Sequence, residues 1–151
     1  TEIGTPVFML TSRCDNVPMS RISHQARIRV RYAETDQMGV AYYANYLVWM
    51  EVGRVEYCKA LGFRYRDMEV EDGVLLAVVE ARCRYLSPAR YDEELTLTTR
   101  VERQGPVKID HSYELRRGDT LIAEGATTIA CVGRDGKIRE IPPPIATGSA
   151  H

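Results

Sequence analysis

RYAETDQMGVAYYANY, residues 31–46, leads from a segment of strand character into one of helix character. Residues 26–32 alternate arginine with apolar side chains, namely Ala26, Ile28, Val30 and Tyr32. A period of two predicts a half-buried strand with those four side chains on its buried side. After residue 44 the apolar spacing becomes helical. The stretch therefore predicts a polar turn between a strand and a helix, a position where loops often carry function.

The segment 45–61 is predicted to be a strongly amphipathic helix. Its apolar residues fall on one face at helical spacing: Tyr46, Trp49, Met50, Gly53, Tyr57, Ala60 and Leu61. Asn45 is a candidate N-cap and Gly62 a candidate stop. Gly53 lies within the apolar face, where the missing side chain lets the helix axis approach a sheet closely. We therefore expect this helix to be central.

Downstream, the sequence predicts four strands. From residue 74 to 85 the period is again two, and Pro88 ends the segment. Three further strands are predicted at 93–103, 107–117 and 120–133, separated by turn sequences, and they should pair as an antiparallel meander. Three consecutive prolines after residue 141 argue against more sheet. One helix followed by four strands, after an initial strand, predicts an α+β domain.

Two motifs resemble the acyl-CoA thioesterases of the 4-hydroxybenzoyl-CoA thioesterase family. The first is residues 31–46, and the second is YLSPARYD, residues 85–92. The resemblance implies a hotdog fold, in which a five-stranded antiparallel sheet wraps one long central helix. It implies a thioesterase domain over residues 21–140. Residues 1–20 are then expected to be a flexible N-terminal tail and residues 141–151 a C-terminal tail.

The resemblance also implies the catalytic groups. Asp36 is expected to act as nucleophile or as general base on water, and the backbone N–H of Tyr43 to polarise the thioester carbonyl; some relatives carry histidine at the place of Tyr43. Elementary chemistry agrees, because an ionised aspartate can attack a thioester or deprotonate water. A helix N-terminus adds unpaired N–H donors and roughly half a positive charge.

Six further residues are candidates for substrate binding: Gly39, Tyr42, Tyr46, Arg84, Arg90 and Lys108. Gly39 permits a tight backbone. The tyrosines at the helix start, Tyr43 included, would line an acyl or aryl pocket, although we favour packing into the core for their side chains. The three cations suit coenzyme A phosphates, although pairing with acidic residues across strands is the more common role.

The composition narrows the class of protein. Twenty Lys and Arg against 21 Asp and Glu give no reason to expect a nucleic acid partner. No apolar run approaches the roughly 20 residues of a membrane span, and the first twenty residues lack the pattern of a secretory signal, so we expect a cytoplasmic protein. Cys14, Cys58, Cys83 and Cys131 are scattered, which predicts mostly buried thiols and neither a metal site nor a disulfide framework. No cofactor is expected.

Alternatives remain at this point. One helix cannot cover both faces of a five-stranded sheet, so a homo-oligomer is expected, either a dimer or a tetramer. In hotdog proteins the catalytic acidic residue and the helix start can come from different subunits, which predicts that a monomer is inactive. A non-catalytic module that binds acyl groups is the rival function. A hydratase would be expected to pair its aspartate with a nearby histidine, yet no histidine stands between His24 and His111, and His111 itself fits a core position.

Overall fold

One antiparallel sheet wraps a long helix in the part of the chain that the computed structural model describes, residues 23–62 and 64–142. The five strands are arranged in the order β1-β3-β4-β5-β2. The elements are β1 (Ser23–Arg29), α1 (Asn45–Ala60), α2 (Tyr65–Glu71), β2 (Val74–Tyr85), β3 (Glu94–Gln104), β4 (Lys108–Arg117) and β5 (Thr120–Gly133). The predicted α+β architecture and the β3-β4-β5 meander are confirmed.

The two edges of the sheet are β1 and β2. The first pairs with β3, and the second pairs with β5 over a long register that ends at Tyr85 opposite Ala123. An irregularity between Val78 and Glu80 interrupts this second register. The strict alternation predicted for 74–85 therefore fails at Val79, since a bulge shifts the side-chain phase by one residue.

The predicted close approach of α1 to the sheet is confirmed at Gly53. A Cβ at this position would overlap with Thr99 Oγ1 and lie 2.7 Å from Leu97 Cδ2. On β5, a Cβ at Gly125 would overlap with the end of Met50. Gly53 on the helix thus faces the sheet, and Gly125 on the sheet faces the helix. Together the two glycines set how closely helix and sheet pack.

The core has two parts along the sheet. The larger cluster lies under α1 and contains Ile28, Val30, Ala41, Tyr46, Trp49, Met50, Ala89, Leu95, Leu97, Tyr113, Leu115, Ile122 and Ala123. The smaller cluster lies toward α2 and contains Met68, Val74, Ile109, Ile129, Cys131 and Ile141. Burying such side chains is the main favourable term in folding. Ile141 and Pro142, the last described residues, are buried, while the predicted N-terminal tail and residues 143–151 lie outside the described chain.

The local predictions differ from the structure at two places and agree with it at a third. β1 ends at Arg29, and Tyr32 begins a 3-10 turn with 77% of its surface exposed, because the chain turns away from the sheet there. The short helix α2 was not predicted, since seven residues are too few for a clear helical period. The end of α1 was predicted correctly, because Gly62 has a positive φ of 94°.

The buried face of α1 includes an arginine. Ala60 is exposed, whereas Arg54 is only 6% exposed and donates a hydrogen bond of 3.0 Å to Tyr113 Oη. Tyr113 Oη in turn shares a hydrogen bond of 2.6 Å with Thr127 Oγ1. His111 is also buried, as predicted, and burial together with the charge of Arg54 lowers the pKa of His111 to about 3. This histidine is therefore neutral at pH 7.

The opposite face of α1 is also apolar. Leu47, Val48 and Val52 are 40%, 49% and 39% exposed. The helix is thus less amphipathic than the sequence predicted, which leaves a surface available to a partner. None of the described helices is long and apolar enough to cross a membrane.

The predicted burial of the cysteines is confirmed for two of the three described ones. Cys58 and Cys131 are buried, Cys83 is half-buried, and Cys14 lies outside the described residues. Burial raises the pKa of the Cys58 thiol to about 11, although Tyr65 and Arg54 act in the opposite direction. This thiol is therefore protonated at neutral pH and serves as a small apolar side chain.

The helix–sheet contact predicts that Gly53→Ala is destabilising. Alanine favours helix by about 1 kcal/mol, but an added methyl group would press on fully buried Thr99 and Leu97, and overpacking typically costs about 1–3 kcal/mol. We expect a net loss of up to about 2 kcal/mol in the free energy of unfolding measured with urea. Glu51→Ala, at an exposed position of the same helix, is the control and should change stability by under about 0.5 kcal/mol. Equal effects of the two substitutions would contradict the tight contact.

Candidate active site

Asp36 lies in a small hairpin between β1 and α1. Thr35 and Ala41 form an antiparallel bridge, and inside it Asp36 N–H donates to Val40 O at 3.0 Å. Gly39 N–H donates to Asp36 O at 2.9 Å, and Gly39 has a φ of 75°. A turn closed by a glycine in the left-handed region is a common hairpin geometry, and it places the aspartate at a fixed point of a tight loop. The expectation that Gly39 permits a tight backbone is confirmed.

Asp36 is half-buried, and one oxygen of its carboxylate accepts no hydrogen bond from the described residues. Its Oδ1 accepts a hydrogen bond of 2.8 Å from Met38 N–H. No described residue donates a hydrogen bond to its Oδ2. One oxygen therefore fixes the side chain, and the other is available to attack a carbonyl or to accept a proton from water.

The second motif, residues 85–92, is joined to the Asp36 hairpin by a backbone hydrogen bond. Ala41 N–H donates to Ala89 O at 2.7 Å, within the loop between β2 and β3. The same loop is fixed to the sheet, because Leu86 N–H and Ser87 N–H both donate to Ile122 O. Residues 85–92 thus connect the Asp36 hairpin to the sheet.

The start of α1 keeps unpaired backbone donors. Its N-cap is Ala44, with no side-chain hydrogen bond to the cap, so the prediction of Asn45 as N-cap is wrong. Asn45 is already helical, and its Nδ2 donates instead to Glu34 O at 2.8 Å. Among the described residues nothing accepts a hydrogen bond from the N–H of Tyr43 or Ala44. These two donors, with the positive end of the helix dipole, form an anion-stabilising position.

Tyrosines surround this helix start. The rings of Tyr42 and Tyr43 are 4.7 Å apart, and Tyr85 Oη donates to Tyr43 O at 2.9 Å. A hydrogen bond with Tyr43, the charge of Tyr43, burial and the Asp36 carboxylate together raise the pKa of Tyr42. The bridge between Thr35 and Ala41 and the hydrogen bond from Tyr42 N–H to Glu34 O hold the Asp36 turn next to the residues that precede the helix.

The packing expected for the tyrosine side chains is confirmed only in part. Tyr46 is buried, with ring centroids 4.9 Å from both Trp49 and Tyr85. Tyr42 and Tyr43 are 45% and 61% exposed, so they do not pack into the core of this chain. Their exposed rings border the region between Asp36 and the helix start.

The three predicted cations lie in different places. Arg84 forms an ion pair of 3.2 Å with Glu124 across the strands, the more common role considered from the sequence. Arg90 is exposed in the loop that supports the Asp36 hairpin, and no described carboxylate lies within ion-pair distance of it. Lys108 lies at the start of β4. Arg117, at the other end of the same strand, donates a hydrogen bond to Pro88 O in the loop between β2 and β3. Ten residues of strand span about 30 Å, so one chain does not bring Lys108 to Asp36.

Sequence reasoning missed Glu34. It is only 5% exposed; its Oε1 accepts from Arg31 N–H and its Oε2 from Trp49 Nε1, both at 2.8 Å. Burial acts to raise the pKa of Glu34, but these hydrogen bonds and the Arg31 guanidinium outweigh it and lower that pKa below its usual value. Trp49 is fifteen residues away in sequence, so no local spacing could have revealed the contact.

Comparisons with known proteins agree with this architecture. Residues 38–128 match the model of the thioesterase superfamily. A putative acyl-CoA thioesterase, YneP of Bacillus subtilis, is 50% identical over 109 residues, which cover 72% of this chain and 78% of that protein. The structure of a DHNA-CoA thioesterase from Staphylococcus aureus is 35% identical and superposes with a TM-score of 0.76, covering 79% of this chain and 80% of that one.

A more distant structure shows the same fold. A variant of 4-hydroxybenzoyl-CoA thioesterase, in complex with 4-hydroxybenzoyl-CoA, is 20% identical and superposes with a TM-score of 0.78 over 85% of this chain and 99% of that one. At this identity the likeness concerns fold alone. The sheet order, the central helix and the family match agree with the predicted hotdog arrangement, and the chain belongs to the thioesterase superfamily.

Proposed function

We propose that this protein hydrolyses acyl-coenzyme A thioesters to a free acid and coenzyme A. The observation that carries the proposal is the pairing of an aspartate with a helix start: one oxygen of the aspartate and the N–H groups before the helix have no hydrogen-bond partner among the described residues. The relatives named as acyl-CoA thioesterases supply the substrate class.

Two routes are compatible with the geometry. In the first, Asp36 takes a proton from water while the water oxygen bonds to the thioester carbon; the C–S bond then breaks, and coenzyme A leaves as a thiolate that regains the proton. In the second, an Asp36 oxygen attacks the carbon, expels the thiolate and forms a mixed anhydride, which water then hydrolyses. Both routes place negative charge on the carbonyl oxygen.

The N–H of Tyr43 is proposed as the donor to that oxygen. It lies outside the helix but next to its N-cap, where the helix dipole favours negative charge. A donor already in place costs no reorganisation during the reaction, and the loss of one such donor typically removes about 3 kcal/mol of transition-state stabilisation. A non-catalytic acyl-binding module would have no need of a free carboxylate at this point.

We assign the predicted substrate-binding residues to different parts of the substrate. The exposed rings of Tyr42 and Tyr43 form the wall beside the reacting carbonyl, while buried Tyr46 supports them from below. Arg90 is our candidate for a coenzyme A phosphate, because it is exposed beside the Asp36 hairpin and no described carboxylate forms an ion pair with it. Lys108 would have to come from a second subunit.

We also propose that the active form is an oligomer built through β2. This strand has twelve residues and pairs only with β5 in the described chain, and Val78 and Val79 on it are 50% and 56% exposed. An exposed edge with apolar side chains is a template for pairing with a second copy. The exposed face of α1 provides further apolar surface for a dimer or a tetramer.

The first prediction concerns Asp36→Asn. The amide keeps the turn hydrogen bond to Met38 but cannot act as base or as a comparable nucleophile, so kcat should fall on the order of 10²–10⁴-fold in a thiol-release assay with short, long and aromatic acyl-CoAs. Asp135→Asn is the matched control, because Asp135 accepts a hydrogen bond from Lys137 N–H in the same type of turn at the far end of β5. If wild type releases no thiol from any substrate, the binding module is the better description.

The second prediction separates the backbone of Tyr43 from its side chain. Tyr43→Ala and Tyr43→Pro both delete the ring, but only proline removes the N–H, which no described residue accepts. We expect the proline variant to have a kcat about 10²–10³-fold below that of the alanine variant. Circular dichroism should show both variants folded. Equal kcat values would contradict the oxyanion role.

The third prediction concerns assembly. Val79→Lys places a charge on the β2 edge and should shift the protein to monomers in analytical ultracentrifugation, because edge lysines oppose strand pairing. Activity should fall with the loss of assembly. Val70→Lys, at a 75% exposed position on α2, is the control and should leave both unchanged. A fully active monomer would overturn the proposal.

A further inference from the structure

Glu34 contacts three parts of the candidate site's framework. Its carboxylate accepts hydrogen bonds from Arg31 N–H, just after β1, and from Trp49, in the second turn of α1. Its backbone oxygen accepts two more, from Tyr42 N–H and from Asn45 Nδ2, both at 2.8 Å. One residue thus joins the end of β1, the residues before α1 and the helix itself.

These contacts lie at both ends of the segment that carries the chemistry. Asp36 follows Glu34 by two residues, and Tyr43 follows Tyr42, whose N–H the Glu34 oxygen accepts. The bridge between Thr35 and Ala41 closes the loop between these points. The distance from the Asp36 carboxylate to the Tyr43 N–H is therefore fixed by bonds that converge on Glu34.

We infer that Glu34 is a positioning residue that holds the Asp36 carboxylate in place relative to the free N–H groups at the start of α1. The inference rests on the proposed function, since those two groups are its reacting partners. A buried carboxylate is costly to retain, and apolar residues often replace buried ionic groups without loss of stability. A role in geometry explains the charge here, because two acceptor oxygens on one side chain can fix two separate donors.

Glutamine cannot reproduce this arrangement. The groups that face the Glu34 carboxylate are all donors: Arg31 N–H and the Arg31 guanidinium at Oε1, and Trp49 Nε1–H at Oε2. An amide offers one acceptor oxygen and one NH₂ group, so Glu34→Gln must place a donor against a donor at one of the two sites. The substitution keeps the volume of the side chain and removes the two-point attachment.

The test combines kinetics with amide hydrogen exchange. In Glu34→Gln we expect exchange across residues 35–43 to rise at least about tenfold while β4 is unchanged, and kcat to fall on the order of 10²-fold with KM within about threefold. Trp49 is the only tryptophan of the chain, so a shift in its emission reports directly that its bond to Glu34 is broken.

Two further variants separate positioning from general stability. Ile129→Val creates a small defect in the core cluster that lies toward α2 and should leave exchange in residues 35–43 and kcat near wild type. Trp49→Phe removes the donor at Glu34 Oε2, so adding Glu34→Gln to it should lower kcat by only about fivefold. The inference is overturned if Glu34→Gln leaves the exchange of residues 35–43 unchanged, or if Ile129→Val lowers kcat as much.

The two proposals fail in different ways. If wild type hydrolyses no thioester, the proposed function is wrong, and exchange across residues 35–43 alone decides whether Glu34 holds the loop. If wild type is active and Glu34→Gln keeps kcat within about twofold, Glu34 has no positioning role while hydrolysis stands.

Discussion

The close packing of α1 on the sheet is the constraint on which the rest of the structure depends. Gly53 on the helix and Gly125 on β5 leave no room for a side chain at the contact, and this brings the helix axis near the strands. In this packed arrangement Trp49 extends from the helix to the carboxylate of Glu34. The position of the helix start, and of the donors beside it, follows from the same contact.

The site is built from groups that the fold leaves unsatisfied. A helix start without a side-chain cap gives up a contribution to stability that capping typically provides, about 1 kcal/mol. Asn45, the natural candidate for that cap, is engaged with Glu34 O instead. The surrounding bonds to Glu34 and Ala89 hold the loop, so the free donors and the free Asp36 oxygen do not depend on bonds of their own to stay in place.

Local patterns in the sequence predicted much of this structure, and contacts between distant residues account for what it missed. The helical period placed α1 and Gly53, and the spacing of Asp36 and Gly39 indicated the tight turn. Nothing local relates Glu34 to Trp49, because their contact exists only once the helix has packed on the sheet. The wrong cap at Asn45 has the same cause, since its competing acceptor lies eleven residues earlier.

Asp36 and Asp135 show why the motif alone does not create a site. Each accepts a hydrogen bond from the N–H two residues later, so their local turns are alike. Asp135, however, also accepts from Arg139 at 3.0 Å, and the turn bond together with that guanidinium lowers the pKa of Asp135. Asp36 keeps an oxygen without a described donor and lies where the start of α1 provides unpaired N–H groups. The proposed reactivity of Asp36 therefore depends on what the packed helix places beside the turn, and a search by turn geometry alone would select both residues.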